Sequence, residues 1–365
     1  MKSILYLSRT ADKASKGIIN KVNFTVKALK EEGYNARAEI IHKHGIKGSL
    51  KVVKKLLQSK EDLVLIRSSH YTMLIMLFPM MYARMKGQKI IIDVATPVGI
   101  AAHEVEGTNS NFFIKKLRKL LLYITFPLSF YPANRILEYS YESDWFSFGV
   151  KKKIKLVGNG IHVESVTYRK SKPIFNKKEL NLIGVAHLAY WHGYDRLINS
   201  IYAYNMKNTR NDNKVRFNFF IVGEGVEKVK LQKLVKALKL DDQIHFLGFQ
   251  EGRNLDTFFD NSHIGICSLM LFRKNLFFAS ELKARDYAAR SMPFILACED
   301  FDFQGNIPFI ERCKNDDSLI DLNEIIKWYA KLDSKYSDFS FIRDFAFENL
   351  DYRAKVRKDI LSIFD

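Results

Sequence analysis

Cysteine is scarce in this 365-residue chain. Its three cysteines, Cys267, Cys298 and Cys313, form no CxxC pair and no even framework. That excludes a disulfide-stapled fold and fits a reduced cytoplasmic chain. Long apolar runs are lacking too. Tyr71 to Ala83 and Leu120 to Tyr131 are each broken by a proline, Pro79 and Pro127, and fall short of the about 20 residues a spanning helix needs. The amino-terminal run Met1 to Ser8 is too short for a signal peptide and reads as a first buried strand. His42, His44 and the other histidines show no metal-ligand spacing, so no metal is expected. Zinc-finger spacing, an RNP-type aromatic motif and a basic-zipper pattern are all missing, which argues against nucleic acid as a partner.

What the chain has in excess is positive charge, +18 overall. Residues 1–165 hold 27 Lys and Arg against 13 Asp and Glu, or +14, and the remaining residues hold only +4. The first half therefore faces something anionic, or is simply a solvated basic surface. Phe112 to Ile124 interleaves Lys115, Lys116, Arg118 and Lys119 with bulky apolar residues. That composition suits a helix lying in an anionic headgroup layer, and equally an amphipathic core helix. The preferred reading is a cytoplasmic protein held peripherally at the inner face of the plasma membrane.

With 47% hydrophobic residues the chain can bury two cores. Short β-rich runs alternate with segments of helical period, the pattern of parallel sheets covered by helices. Strands are expected at Ile4–Ser8, Arg37–Ile41, Leu63–Arg67, Lys89–Val94, Arg135–Tyr139 and Ile154–Val157. After an aperiodic connection at Glu164–Pro173 the pattern restarts with Leu180–Val185, Phe217–Val222, Gln243–Leu247, Ile264–Cys267 and Phe294–Ala297. The fold class is α/β, two doubly wound Rossmann-like domains facing a cleft, over 1–165 and 166–344. Open sheets of this kind place ligands at the carboxyl ends of their strands.

Glycines mark a nucleotide site in the second half, because phosphates need closely presented backbone N–H groups. The strand Phe219–Val222 runs into Gly223-Glu224-Gly225 and a helix from Lys228 to Leu238, and the next strand ends Phe246-Leu247-Gly248-Phe249. Further on, Ser280-Glu281-Leu282-Lys283-Ala284-Arg285-Asp286 leads through Pro293 into an apolar strand. Val157-Gly158-Asn159-Gly160-Ile161 closes the first half, and Trp191-His192-Gly193-Tyr194-Asp195-Arg196 opens the second. In this order the segments resemble the group 1 (family four-like) glycosyltransferases of the GT-B fold, in their bacterial capsule and envelope form. The resemblance covers about the whole chain.

The resemblance implies site roles. Asp286 would accept from ribose hydroxyls, while the backbone of Ser280, Glu281 and Leu282, with Lys283, would face the diphosphate. His187 and His192 stand where many relatives have an Arg and a Lys; either would protonate more readily beside a pyrophosphate, and the alternative is that both are polar loop residues. Gly17 would lie in the glycine loop beneath the donor sugar. His103 is the acceptor-side catalytic candidate, in a stretch from Asp93 through Thr96, Pro97, Glu104 and Gly107. Phe345 to Asp365 would pack back onto the first domain. The family's first helix carboxylate is replaced by Phe278, and Glu281, three residues along, is the expected substitute. The implied activity is transfer of a sugar from a nucleotide-diphosphate donor to a lipid-linked envelope glycan, retaining, metal-independent and without a cofactor. The alternatives are a noncatalytic partner subunit of another transferase and a sugar epimerase of the same fold.

Overall fold

The computed structural model describes residues 1–10, 16–43, 45–67, 70–94, 97, 105, 111–141, 144–169, 171–211 and 214–365. The chain divides into two compact units, 1–160 with 351–365, and 161–350. The units therefore meet at 160/161, where the sequence placed the boundary at 165/166.

The first unit is a parallel sheet of β1 (Ser3–Arg9), β2 (Asn35–Ile41), β3 (Leu63–Arg67), β4 (Lys89–Val94), β5 (Arg135–Glu138) and β6 (Ile154–Leu156), ordered β2-β1-β3-β4-β5-β6. Successive side chains on a strand point to opposite faces, so both faces must be covered. Ile4 and Tyr6 of β1 join a core with Val22, Val26 and Leu29 of the helix Lys16–Glu31. Leu5 and Leu7 face the other core, with Val52 and Leu56 of the helix Gly45–Gln58, Met73, Met76 and Met80 of His70–Met85, and Leu122, Phe126 and Phe130 of Phe112–Phe130. This is why the strands read as unbroken apolar runs.

The carboxyl-terminal segment completes the first of these faces with Val356, Ile360 and Leu361. Arg135 donates to the Asp359 carbonyl at 2.9 Å, Lys89 to the Ile363 carbonyl at 2.6 Å, and Arg357 to Glu32 at 2.5 Å. The return begins at Asp351. Phe345 and Ala346 belong instead to the last helix of the second unit, Ser340–Asn349, where Ala346 is buried in that unit's core.

Both interrupting prolines sit inside helices. Pro127 has no N–H for the Tyr123 carbonyl, and Trp145 supplies the missing donor from its indole at 2.8 Å. Among the described residues no helix is long and apolar enough to cross a membrane.

The second unit has a parallel sheet ordered β12-β11-β10-β7-β8-β9: β7 (Glu179–Val185), β8 (Arg216–Val222), β9 (Ile244–Gly248), β10 (Ile264–Ile266), β11 (Phe294–Leu296) and β12 (Ile310–Arg312). All eleven expected strands form. The twelfth, β12, was missed because a three-residue edge strand containing Glu311 and Arg312 carries no apolar run.

Two buried arginines hold this unit together in different ways. Arg285 is fully buried and forks onto Asp300, with a further bond to Asp302 at 2.6 Å. Arg169 has no such carboxylate in hydrogen-bond contact among the described residues; it donates to the carbonyls of Ser262 at 2.6 Å, Ser291 at 3.0 Å and Phe259 at 3.4 Å. Burial pulls its pKa down to about 10, so it remains charged at neutral pH. Arg169→Met keeps the stem and deletes the donors, removing this partner from the Ser262 and Ser291 carbonyls on two separate chain segments. The urea transition of the second unit should lose about 3 kcal/mol or more; an unchanged midpoint would show that the pin carries no stability.

Candidate functional site

The candidate residues of the second unit gather at the carboxyl rim of its sheet. Leaving β7, the chain passes through residues 186–193 and enters the helix Tyr194–Lys207. The turn Gly223-Glu224-Gly225 after β8 presses directly on this loop. A Cβ on Gly223, at φ +125°, would collide with the Ala186 carbonyl, and one on Gly225, at φ +155°, with the Leu188 backbone. Leu188 N–H donates to the Glu224 carbonyl at 2.7 Å, and Gly223 N–H to the Gly248 carbonyl at 2.7 Å. The glycines thus clamp loop to loop. The Gly223 N–H is used within the protein and is not turned toward a phosphate.

The clamped loop delivers His192 into a polar cluster. Its Nε2 lies 3.0 Å from the His187 carbonyl, which can only accept, so Nε2 carries the proton. Nδ1 then accepts from Ser268 Oγ at 2.9 Å and from Lys283 Nζ at 3.1 Å. Burial, reinforced by the Lys283 charge, pushes the His192 pKa down to about 3. His192 is therefore neutral in this structure. The His187 ring itself is exposed.

Lys283 lies in the first turn of the helix Leu282–Ala289, for which Glu281 is the N-cap residue. Burial lowers its pKa while Glu281 opposes the shift. The Glu281 carboxylate accepts the Ser268 N–H at 3.0 Å and the Cys298 thiol at 3.6 Å, with Lys283 Nζ 3.9 Å away. Its side chain does not cap the helix. Ser280 precedes the helix, and the Leu282 side chain is exposed. Ser268, Cys298 and Tyr194, whose ring lies 5.6 Å below Lys283 Nζ, complete a cluster the sequence reading missed. Only Ser268 left a signal, as a polar residue just past the carboxyl end of β10.

Asp286 lies on the same helix and outside that cluster. Its Oδ2 accepts from Arg290 at 3.0 Å; Arg290 also pairs with Asp256 at 2.7 Å. The Asp286 side chain keeps 34% of its exposure. Arg285 points away into its own buried carboxylates, so Lys283 alone of the two faces the loop.

Phe278 is not on the helix. It pairs with Glu299 as an isolated parallel bridge and stacks on Phe301 at 5.5 Å. Glu281, the expected substitute three residues along, is the N-cap of the helix and so shares no helix face with Phe278. A surface cavity of about 870 Å³ bordered by Asn205, Arg216, Asp242 and Gln243 lies at the opposite rim, by the amino ends of β8 and β9.

In the first unit, Gly17 stands in the opening turn of its helix with no described atom within 4 Å of a built Cβ. His103, Glu104, Gly107 and Thr96 lie outside the described residues, whereas Asp93 and Pro97 are described. Lys116 is exposed, and Lys115, Arg118 and Lys119 are half-buried on the helix Phe112–Phe130.

Residues 167–271 match the sequence profile described as Glycosyl transferases group 1. The match lies within the second unit, and the two six-stranded parallel sheets with their flanking helices give a two-domain α/β fold similar to that of the GT-B glycosyltransferases. Among solved structures, the chain is similar to the lipopolysaccharide outer core galactosyltransferase WaaB, at 12% identity, TM-score 0.63 and 99% coverage of both chains. It is also similar to the trehalose-6-phosphate synthase OtsA, at 13% identity and TM-score 0.58 over 100% of this chain and 99% of that one. A trehalose-6-phosphate synthase structure from work on enzymatic glycosyl transfer with retention gives 12% identity, TM-score 0.56 and 98% coverage of both. No match was found among curated proteins.

The neutral histidine has a measurable consequence. A folded-state pKa of about 3 against an ordinary 6.5 means that the unfolded chain takes up a proton below pH 6.5 while the folded one does not. The contribution of His192 to stability is thus complete above pH 6.5 and declines as pH falls toward 3. Between pH 6.5 and 5 the wild type should lose about 1 to 2 kcal/mol more than His192→Asn. Matched urea titrations read this directly, and parallel losses would show that His192 is not buried neutral.

Proposed function

We propose that this protein transfers a sugar from a nucleotide-diphosphate donor to a lipid-linked envelope glycan, with retention and without a metal. The observation that carries the reading is the convergence of the Trp191–Gly193 loop with the amino end of the helix Leu282–Ala289. That helix end offers backbone N–H groups and a positive dipole to a diphosphate, and Lys283 adds a buried ammonium. Neutral His192 positions Lys283 rather than binding the phosphate itself. Asp286 has one oxygen on Arg290 and the other available to ribose hydroxyls. In the step itself the bond from the anomeric carbon to phosphate breaks and the bond to the acceptor oxygen forms. The acceptor proton passes to the departing phosphate, so no strong general base is required. Support for retention and for an envelope acceptor comes from the fold relatives described with those properties.

One observation favours a second reading, a noncatalytic partner subunit: the family's first carboxylate is absent, and Phe278 in its place is packed on Phe301. Nucleotide binding separates the two. Asp286→Ala should weaken binding of the cognate nucleotide by about 1 to 3 kcal/mol while the fold survives. A survey of UDP and GDP and their sugars by thermal shift comes first, since a ligand of the folded state raises its stability. If no nucleotide binds, or if the variant binds equally well, the site is misassigned.

An anionic membrane face as the place of action rests on the helix Phe112–Phe130. Its core side is Leu122, Phe126 and Phe130, whereas Phe113, Leu117, Leu120, Leu121, Ile124 and Leu128 form an exposed apolar stripe at helical spacing. The helix His70–Met85 packs beside it with Phe78, Met81, Tyr82 and Met85 exposed, and Trp145 and Phe148 are exposed nearby. Apolar residues outward among Lys115, Lys116, Arg118 and Lys119 suit insertion at an anionic headgroup layer. The protein should co-sediment with phosphatidylglycerol vesicles and not with phosphatidylcholine vesicles. Salt near 1 M, where the Debye length is about 3 Å, should release it, and charge reversal of those four basic residues should weaken it. Binding that ignores vesicle charge and survives the fourfold reversal would remove the membrane from this reading.

A further inference from the structure

The first unit contains a second charged site that the donor-binding reading does not use. Asp93, near the carboxyl end of β4, is almost fully buried and accepts hydrogen bonds from Tyr6 of β1 and Tyr139 just past β5. Two cations share this one carboxylate: Arg67, the last residue of β3, at 2.7 Å, and Lys21, on the helix after β1, at 3.4 Å. Lys21 also lies 3.7 Å above the Tyr139 ring. Burial pushes the Asp93 carboxyl upward, but Lys21, Arg67 and the phenols outweigh it and hold it well below the usual range. It is a full negative charge, and the cluster still carries a net charge of +1.

Three observations make this a ligand site rather than a closed ion pair. First, it is only partly closed: the side chains of Lys21 and Arg67 keep 15% and 13% of their exposure, against 2% for Asp93. Secondly, donors remain. Arg67 gives one Nη to Asp93 and also hydrogen-bonds the Tyr6 hydroxyl, which engages only part of its five-donor guanidinium; Lys21 gives Asp93 one of its three ammonium protons. A surplus cation with unused donors in a nearly buried place calls for an anion. Thirdly, the place is the topological switch point of the sheet. From β1 the chain moves to β2 on one side and then crosses to β3 on the other, and the helices Lys16–Glu31 and Gly45–Gln58 cover opposite faces. Ligands of open α/β sheets bind outside the strand ends at such a point.

We infer that Lys21 and Arg67 form a binding site for a phosphate group, with Asp93, Tyr6 and Tyr139 orienting the two cations. Asp93 already fills the planar carboxylate position between them, and the donors left over approach from separate residues, which suits a tetrahedral group. If the protein is the transferase proposed above, this phosphate belongs to the acceptor; the binding itself does not depend on that reading.

The test uses the full chain and inorganic phosphate, with chloride at matched ionic strength as the reference and acetate as the control anion. Phosphate should bind saturably. In an NMR titration it should raise the protonation midpoint of the Lys21 ammonium above its burial-lowered value of about 8, because a bound anion favours the charged form. Lys21→Gln and Arg67→Gln should each weaken phosphate binding by about ten-fold or more, whereas Lys283→Gln in the second unit should leave the Lys21 response intact. An unmoved Lys21 midpoint, or acetate matching phosphate, overturns the assignment even if the variants fail to fold. Phosphate acting at Lys21 in a protein that binds no nucleotide would instead leave this site standing and remove the transferase reading.

Discussion

Parallel strand pairing is the constraint on which the rest of this protein depends. Every strand pair in both sheets is parallel, so no two neighbours can be joined by a tight hairpin and each connection must cross back over a face. Each strand then ends at the same rim. The crossings cover both faces with helices, and the rim collects the loops that follow the strands. Ser268 after β10, the Trp191–Gly193 loop after β7 and the Gly223–Gly225 turn after β8 come together for this reason. Arg67, Asp93 and Tyr139 meet at the corresponding rim of the first unit for the same reason.

Crowding polar groups at a half-buried rim raises the question of where each charge finds its partner, and this chain answers it in several ways. Arg285 is neutralised by Asp300 and Asp302, so it is structural despite sitting in the motif helix. Arg169 hydrogen-bonds carbonyl oxygens, with Asp260 acting on it only through its charge. Lys283 shares Glu281 and leans on a histidine kept neutral so that it can accept. Lys21 and Arg67 divide a single carboxylate and leave a charge over. The two proposed sites draw on the last two arrangements, whose cations share their carboxylates, whereas complete pairing marks the first as architecture.

The first unit also departs from ordinary surface design. Its helix Phe112–Phe130 buries one narrow side and turns an apolar stripe outward, although the unit carries the larger share of the chain's positive charge. Composition had left two readings of this helix open, a core helix and an interfacial one. The exposure of Phe113, Leu117, Leu120, Leu121 and Ile124 excludes the plain core helix, since a stripe facing the core would be covered.

Much of the fold was legible in the chain. Strands buried on both faces need continuous β-branched and aliphatic runs, and eleven of them announced themselves in that way; β12 did not, because an edge strand need not be apolar. The motif order likewise pointed to the group 1 class and to the helix bearing Lys283 and Asp286. Sequence spacing could not say which way a side chain turns at a rim, because that is decided by contacts between loops far apart in the chain. Only the tertiary structure separated Lys283 from Arg285, took Phe278 off the helix, assigned Glu281 to the Ser268 N–H and made His192 neutral. The periodicity of the chain determined which segments would be buried; the packing of those segments decided which charges would be left to act.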